Sequence, residues 1–592
     1  MKQFFKFTFA SMLGFFLAFV VVFLFFFFMV LGLASFSSKK APEIKKHNVL
    51  CLNLKEDIPD RTPANPFENF DFNLMKVKEK IGLNDILANI KIAKDDKRIK
   101  GIFLDLSYVP AGMATIEEIR EALIDFKTSG KFIISYSESY SQKAYYLATV
   151  SDKILLNPMG SVEFKGLSSQ IMFFKGTLDK LDVEAQIIRH GKFKSAIEPF
   201  ILDKMSEANR EQMTAFLFSL WEHMLSNIAE TRNISVDNLN IYADNLMAGT
   251  ASEALANGFV DSLVYRDQFL SIMDKMIDMK RNEYAFLKMS NYVKSNKMQQ
   301  VLKQKEDKIA VIYGEGDIVS GEAEDTKIAS ETMAKAIQKA REDENIKAIV
   351  LRVNSPGGSA LASEVIWREL VLTKAVKPVV VSMGNLAASG GYYISCPADK
   401  IFANPTTITG SIGVFGMIPN MENFFKNKLG ITFDGVNTNE HADFMSTTRR
   451  LSDFEKNKIQ SYIEEIYDVF ITHVAEGRGM TKAQVDTIGQ GRVWSGIDAK
   501  RLGLIDEFGG MDAAIMEAAK LASLEEGSYS LIEYPKQKDL FEQLLSDFSA
   551  TVSLFFAKKE LGEETYVYYK YAKSFLEMEE VQARLPYDII VE

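Results

Sequence analysis

Apolar positions along the chain follow two distinct patterns. Near the amino terminus they run without a break: Met12 to Ala34, 34 − 12 + 1 = 23 residues, carries no charge and is flanked by Lys2 and Lys6 before and by Lys39, Lys40, Lys45 and Lys46 after. At about 1.5 Å per helical residue this run crosses a hydrocarbon layer of roughly 30 Å. It also exceeds the roughly 7–15 apolar residues of a cleavable signal peptide, so an uncleaved anchor is expected over residues 1–40. Beyond it, short apolar runs at Val49–Leu54, Ile99–Leu106 and Phe132–Tyr136 alternate with a helical period over Thr115–Phe126, and Pro59, Pro63 and Pro66 mark a loop. Strands alternating with helices predict crossover units on a largely parallel sheet, an α/β fold.

The same pattern then recurs. Ile99-Lys100-Gly101-Ile102 through Leu104 matches Ile346-Lys347-Ala348-Ile349 through Leu351, an offset of 346 − 99 = 247. That offset holds without a gap through Tyr145-Tyr146 against Tyr392-Tyr393 and Asn157-Pro158 against Asn404-Pro405. Further on, Ala254, Gly258 and Asp261 match Ala499, Gly503 and Asp506 at an offset of 499 − 254 = 245. An ungapped match of about sixty residues reads as a tandem duplication of one α/β unit. The expected division is an anchor over 1–40, a first repeat over 41–265, a connecting region over 266–306, a second repeat over 307–525 and an extension over 526–592.

Composition narrows the function classes. A net charge of −10 over 592 residues argues against nucleic-acid binding, which needs concentrated Lys and Arg. The two cysteines, Cys51 and Cys396, have no metal-ligand spacing and make no disulfide scaffold. Cys396 is expected to pack as a small apolar residue.

Chemistry concentrates in the second repeat. The apolar run Pro378–Val381 predicts a buried strand, and Ala387–Ser395 predicts a helix of small residues with Ser389 near its start. There a serine lies near free backbone N–H groups and the positive end of the helix dipole, which makes Ser389 the candidate nucleophile. Asn354-Ser355-Pro356-Gly357-Gly358-Ser359 lies between the strand Ala348–Val353 and a helix from about Leu361, and its glycines can turn N–H groups toward an oxyanion. The first repeat has neither feature: Ser389 falls on Gln142, and Ser355 to Gly358 fall on Tyr108 to Ala111. A serine needs a base, and none of the five histidines (His47, His190, His223, His441, His473) follows Ser389 closely. A desolvated lysine is the alternative, and Arg189 to Phe200 offers Lys192 and Lys194, with His190 as a rival base. Glu117, Glu118 and Glu198 read as helix-surface or loop carboxylates.

Four stretches taken together carry a resemblance: Met383-Gly384-Asn385-Leu386-Ala387-Ala388-Ser389-Gly390-Gly391-Tyr392-Tyr393, Ser355-Pro356-Gly357-Gly358, Thr409-Gly410-Ser411-Ile412-Gly413-Val414, and Gly191-Lys192-Phe193-Lys194-Ser195-Ala196-Ile197-Glu198-Pro199-Phe200. In this order they resemble the signal peptide peptidase A (protease IV) family in its long, duplicated bacterial form, over roughly Lys46 to Ala522. The resemblance implies a tandem Clp protease/crotonase-like fold and a Ser/Lys dyad split across the duplication. Ser389 is then the nucleophile, Lys194 the general base and Lys192 an ordinary neighbour. Ser411 orients the lysine amine, and the backbone of Gly358, with Gly357, holds the oxyanion. It further implies a homotetramer facing the bacterial inner membrane, a single-pass anchor, a periplasmic catalytic body and signal-peptide substrates, with no metal or other cofactor. Lysine counting alone would place the body in the cytoplasm. The same fold can also host an acyl-CoA hydratase or isomerase, or a non-catalytic membrane scaffold. The apolar stretch Leu540–Ala557 and the tyrosine-rich Tyr566–Tyr571 are expected to pack on the body or a partner.

Overall fold

A computed structural model describes residues 2–37, 44–63, 70–71, 76–77, 80–301, 305–322, 327–537 and 581–584. Two sheets with the same plan stand at its centre. The first has the order Ser262–Leu263, Lys153–Leu156, Phe132–Ser137, Ile99–Leu104, Asn48–Leu52, Ala285–Lys288, and every neighbouring pair is parallel. The second runs Glu507–Phe508, Lys400–Ala403, Val379–Ala388, Ile346–Ser355, Lys308–Glu315, Ser530–Tyr534, all parallel, and the far end of Val379–Ala388 also pairs with Ile408–Gly410, which carries the antiparallel Val493–Ser495. Central strands such as Ile99–Leu104 and Ile346–Ser355 are buried along most of their length, which is why they read as near-continuous apolar runs rather than as alternating ones.

The duplication extends to the sheet edges. Ala285 pairs with Asn48 in the first sheet and Ser530 pairs with Lys308 in the second, a separation of 530 − 285 = 245. The region between the repeats and the start of the extension thus supply matching edge strands. A third sheet, in the order Ile328–Ala329, Ile318–Val319, Gly357–Ser359, Val581–Arg584, Phe415–Asn420, Glu184–Arg189, crosses from one repeat to the other. Glu184–Arg189 of the first half runs antiparallel to Phe415–Asn420 of the second, with Arg189 opposite Phe415.

A buried charge cluster also joins the halves. The Arg352 guanidinium donates to Asp60 Oδ1 at 2.8 Å and to Glu118 Oε1 at 2.7 Å, and its other nitrogen donates to Ser382 Oγ at 2.8 Å. Glu118 Oε2 accepts from the Met511 N–H at 2.9 Å. The surface reading of Glu117 and Glu118 is therefore corrected: both are buried, Glu117 against Tyr146 and His223, because the face of helix Met113–Lys127 that carries them is covered by the second repeat and by helix Glu207–Arg232. Glu198 is buried too, accepting from Ser206 and Asn209.

The helix predicted over Ala387–Ser395 is also corrected. Strand Val379–Ala388 continues through Gly384 and Asn385, and the helix covers only Gly390–Ser395. Side chains from the neighbouring strand Ile408–Gly410 and the residue before it hold this extension: Thr407 Oγ1 donates to Gly384 O at 2.9 Å and Thr409 Oγ1 to Ala387 O at 2.7 Å.

At the amino terminus a helix spans Lys2–Ser37 and covers the apolar run. Several of its side chains, 25–37 among them, lie outside the described set, and among the described residues no helix is long and apolar enough to cross a membrane. Leu540–Ala557 and Tyr566–Tyr571 also lie outside the described residues.

Candidate active site

Strand Val379–Ala388 ends at Ser389, whose backbone takes φ +54° and ψ −113°, a strained conformation for a residue with a Cβ. The strain is held from both sides. Ser389 N–H donates to Gly410 O at 2.8 Å, and the Tyr393 N–H donates back to Ser389 O at 2.8 Å as the first turn of the helix. Two glycines then let this helix press against the neighbouring turn. A methyl on Gly390 would come within 3.1 Å of Gly357 Cα, and one on Gly391 within 2.8 Å of Ser355 O.

Lys194 reaches this point from the first half. The strand pairing of Arg189 with Phe415 delivers the chain, the His190 N–H donates to Val414 O at 3.1 Å, and the Phe193 N–H donates to Gln490 O at 2.8 Å. The Lys194 amine then lies 2.9 Å from Ser389 Oγ, 3.1 Å from Ser411 Oγ and 3.3 Å from Ser411 O. Its aliphatic stem is walled by Gly491 and Gly413: a methyl on Gly491 would come within 2.6 Å of Lys194 Cβ, and one on Gly413 within 3.3 Å of Cδ. Lys194 is 0% exposed, and this burial pushes its amine well below the ordinary lysine range, because desolvation penalises the ammonium form.

The structure thus brings Ser389, Lys194 and Ser411 together and leaves the other candidate bases aside. Lys192 is exposed, its amine over the Phe193 ring, and His190 stacks on Tyr467 with ring centroids 4.0 Å apart. Ser411 has φ +51° and is fixed by an N–H bond to Arg492 O at 2.6 Å. Gly357 and Gly358 take φ +98° and +157°, and a Cβ on either would overlap a carbonyl oxygen, that of Ala583 or of Ile318 respectively. The Gly357 N–H donates to Ser355 Oγ at 3.1 Å and so is spent within its own turn.

In the first repeat, the equivalent place is filled by an amide. Gln142 Oε1 accepts from the Lys165 and Gly166 N–H groups at 2.9 and 3.2 Å, and its Nε2 donates to Gly166 O at 3.0 Å. Gly166 lies 413 − 166 = 247 residues before Gly413, whose carbonyl oxygen is 3.4 Å from Ser389 Oγ. A structural side chain occupies there the position that a serine and a lysine amine share in the second repeat.

Sequence reasoning missed Gly390, Gly413 and Gly491 as parts of the site, and missed the strand Val581–Arg584 that lies on it. Gly390 carried a signal, since the N–H after a serine at a helix start points the same way as the dipole. The walls around the lysine stem carried none, because both come from the opposite repeat, 413 − 194 = 219 and 491 − 194 = 297 residues away in the chain.

Comparison with known proteins agrees with this architecture. The profile of peptidase family S49 matches residues 125–280 and 372–525, and that of Clp protease matches 300–408. The two S49 matches begin 372 − 125 = 247 and end 525 − 280 = 245 residues apart, the two offsets of the internal repeat. The chain is 40% identical to Protease 4 of Haemophilus influenzae over 85% of its length and 84% of the relative's. It is 41% identical to Protease 4 of Salmonella typhi, over 79% of its length and 76% of the relative's. Over a shorter stretch, 33% of the chain and 57% of the relative, it is 37% identical to a putative signal peptide peptidase SppA of Enterococcus faecium. With two S49 units in tandem and relatives of this similarity along most of its length, the chain belongs to peptidase family S49 and is a serine protease.

Proposed function

We propose that the chain is a membrane-anchored endopeptidase that degrades cleaved signal peptides, with Ser389 as nucleophile and Lys194 as general base. The observation that carries the catalytic part is the 2.9 Å approach of a fully buried lysine amine to the hydroxyl of a strained serine. A neutral amine accepts the Ser389 proton as Oγ attacks the scissile carbonyl, and Ser411 holds that amine in line. The oxyanion then develops beside the turn, where the N–H groups of Gly358 and of Gly390 are the donors. Gly357 shapes this turn, its own N–H being engaged by Ser355. The ammonium returns its proton to the departing amine, and water hydrolyses the acyl-serine by the same route.

The anchor and the substrate rest on other observations. The uncharged run Met12–Ala34 supports a single-pass anchor, and the family resemblance supports a periplasmic body on the bacterial inner membrane, assembled as a homotetramer. The likeness to a putative signal peptide peptidase supports substrates that are extended and apolar. Residues 41–265 then form the base-carrying unit and 307–525 the nucleophile-carrying one. Purified in detergent, the protein is expected to cleave a synthetic signal peptide. Ser389→Ala and Lys194→Ala should each lose that activity and His190→Ala should keep it. Full activity in either of the first two would overturn the assignment.

A further inference from the structure

Both repeats hold a glutamate, a tyrosine and a histidine in one cluster. In the first, Tyr146 Oη donates to Glu117 Oε1 at 2.5 Å and His223 Nε2 donates to the same oxygen at 3.0 Å. In the second, Tyr393 Oη donates to Glu364 Oε2, and so does His473 Nε2 at 3.0 Å. The spacing follows the duplication: 364 − 117 = 247, 393 − 146 = 247 and 473 − 223 = 250. The hydrogen bond from His473, with that from Tyr393, outweighs partial burial and holds the Glu364 carboxyl below its ordinary value, so the acceptor is an anion. The candidate nucleophile stands in one copy only, so a cluster present in both serves the fold first.

What surrounds the cluster differs between the copies. In the first, Arg120 lies over the Tyr146 ring at 5.0 Å and donates to Thr149 Oγ1 at 2.9 Å, while Asn227 Nδ2 donates to Tyr146 Oη at 2.7 Å. At the same spacings, Arg120, Thr149 and Asn227 correspond to Trp367, Cys396 and Gly477. Trp367 stacks on His473 with ring centroids 3.5 Å apart, and Phe470 packs on Tyr393 at 4.5 Å. A methyl on Gly477 would overlap Cys396 O, so helix Asp453–Arg478 presses on the residue that ends helix Gly390–Ser395. A polar network around Tyr146 is thus replaced around Tyr393 by packed rings and a close helix contact.

Tyr393 also has a connection that ties it to the chemistry. Its N–H closes on Ser389 O at 2.8 Å, the first helical bond after the strained serine. Its side chain is bound to Glu364 on helix Ala360–Lys374, whose N-cap Ser359 directly follows Gly357 and Gly358. One hydrogen bond therefore joins the segment carrying Ser389 to the helix that leaves the oxyanion turn. In the first repeat Gln142 lies inside its helix, behind the N-cap Ser141, and has no strained serine to hold.

We infer that Glu364, acting through Tyr393, is a positioning residue that sets Ser389 Oγ against the Gly358 turn, whereas Glu117 with Tyr146 only stabilises the first repeat. This deepens the function proposed above and rests on it. Neither Glu364 nor Tyr393 touches a reacting atom by its side chain. Their effect is on the geometry of attack, so it falls on kcat rather than on KM.

Matched hydroxyl deletions, Tyr393→Phe and Tyr146→Phe, test this. For each, kcat and KM on a synthetic signal peptide, the rate at which a serine-directed phosphonate labels Ser389, and the denaturant midpoint are measured beside the wild type and Ser389→Ala. In Tyr393→Phe, kcat and the labelling rate should both fall at least about tenfold with KM unchanged, the order of one hydrogen bond to a charged group. Tyr146→Phe should lower the midpoint by at least as much and keep both rates. Glu364→Gln keeps an acceptor oxygen and loses the charge; it should show the same split with a smaller loss, and it decides the matter where Tyr393→Phe fails to fold. Wild-type rates in Tyr393→Phe or in Glu364→Gln, or an equal fall in Tyr146→Phe, overturn the inference and leave the proposed function standing. A Ser389→Ala protein that still cleaves the peptide overturns both.

Discussion

Lys194 Nζ and Ser389 Oγ, 195 residues apart in the chain, lie 2.9 Å from each other, and neither residue is exposed. The first consequence is a pH dependence. The neutral amine is the form that accepts the serine proton, and burial moves its titration well below the ordinary value of 10.5. Activity should therefore rise as pH increases through that lowered value and level off above it, since the ammonium form below it cannot act as a base. Measuring kcat/KM against pH gives the acid limb. A limb that tracks an unshifted lysine, or a profile unchanged in a Lys194 variant, would contradict it.

Ser411 acts on the same amine through a hydroxyl at 3.1 Å and a carbonyl at 3.3 Å. Ser411→Ala removes the first contact and leaves the second. The expected effect is a fall in kcat of about tenfold, the order of one hydrogen bond to a charged or charging group, with KM little changed. A merely structural serine would not show this split, because its loss would lower stability and raise KM along with the fall in kcat.

Gly358 has a more severe constraint. With φ at +157° and the Ile318 carbonyl oxygen where a Cβ would lie, Ala at this position must move the turn. Gly358→Ala should lower kcat by about 10²–10³, the usual loss of one oxyanion donor, while circular dichroism remains that of the wild type. A variant with unchanged kcat would remove Gly358 from the oxyanion site.

Arg352 tests how the halves are held together. Its guanidinium bridges Asp60 and Glu118, whose side chains are 3% and 2% exposed. Burial already raises the Glu118 carboxyl above its ordinary value, against the pull of Arg352. Arg352→Met strands two buried carboxylates and should cost about 3–5 kcal/mol, read from the denaturant midpoint. Activity should fall with it, because Lys194 depends on the first repeat keeping its seat on the second.

How much of this was legible in the sequence follows from what each feature needs. The two sheets could be read because buried parallel strands leave unbroken apolar runs, and the duplication because it repeats at a fixed offset. Ser389 and the glycine turn could be read because strained turns demand particular small residues. The choice between Lys192 and Lys194 could not be made from residue type alone, since both follow the same strand; the resemblance preferred Lys194, and the folded chain buries only that one. Arg352 with Glu118 was illegible for a different reason. A carboxylate on a helix with mixed faces reads as solvated until a second domain covers it. Val581–Arg584 has too few apolar positions to announce a strand, and its partners are more than a hundred and fifty residues away.

The central claim is that one active site is assembled from both repeats, and covalent labelling tests it most directly. A serine-directed phosphonate, followed by intact mass and peptide mapping, should add one phosphonyl group at Ser389 in the wild type, at a rate that rises with pH through the amine's titration. In Lys194→Ala, with the fold unchanged, labelling should slow by at least about 10³-fold. Labelling of Ser389 at the wild-type rate without Lys194, or labelling of a different serine, would contradict the account.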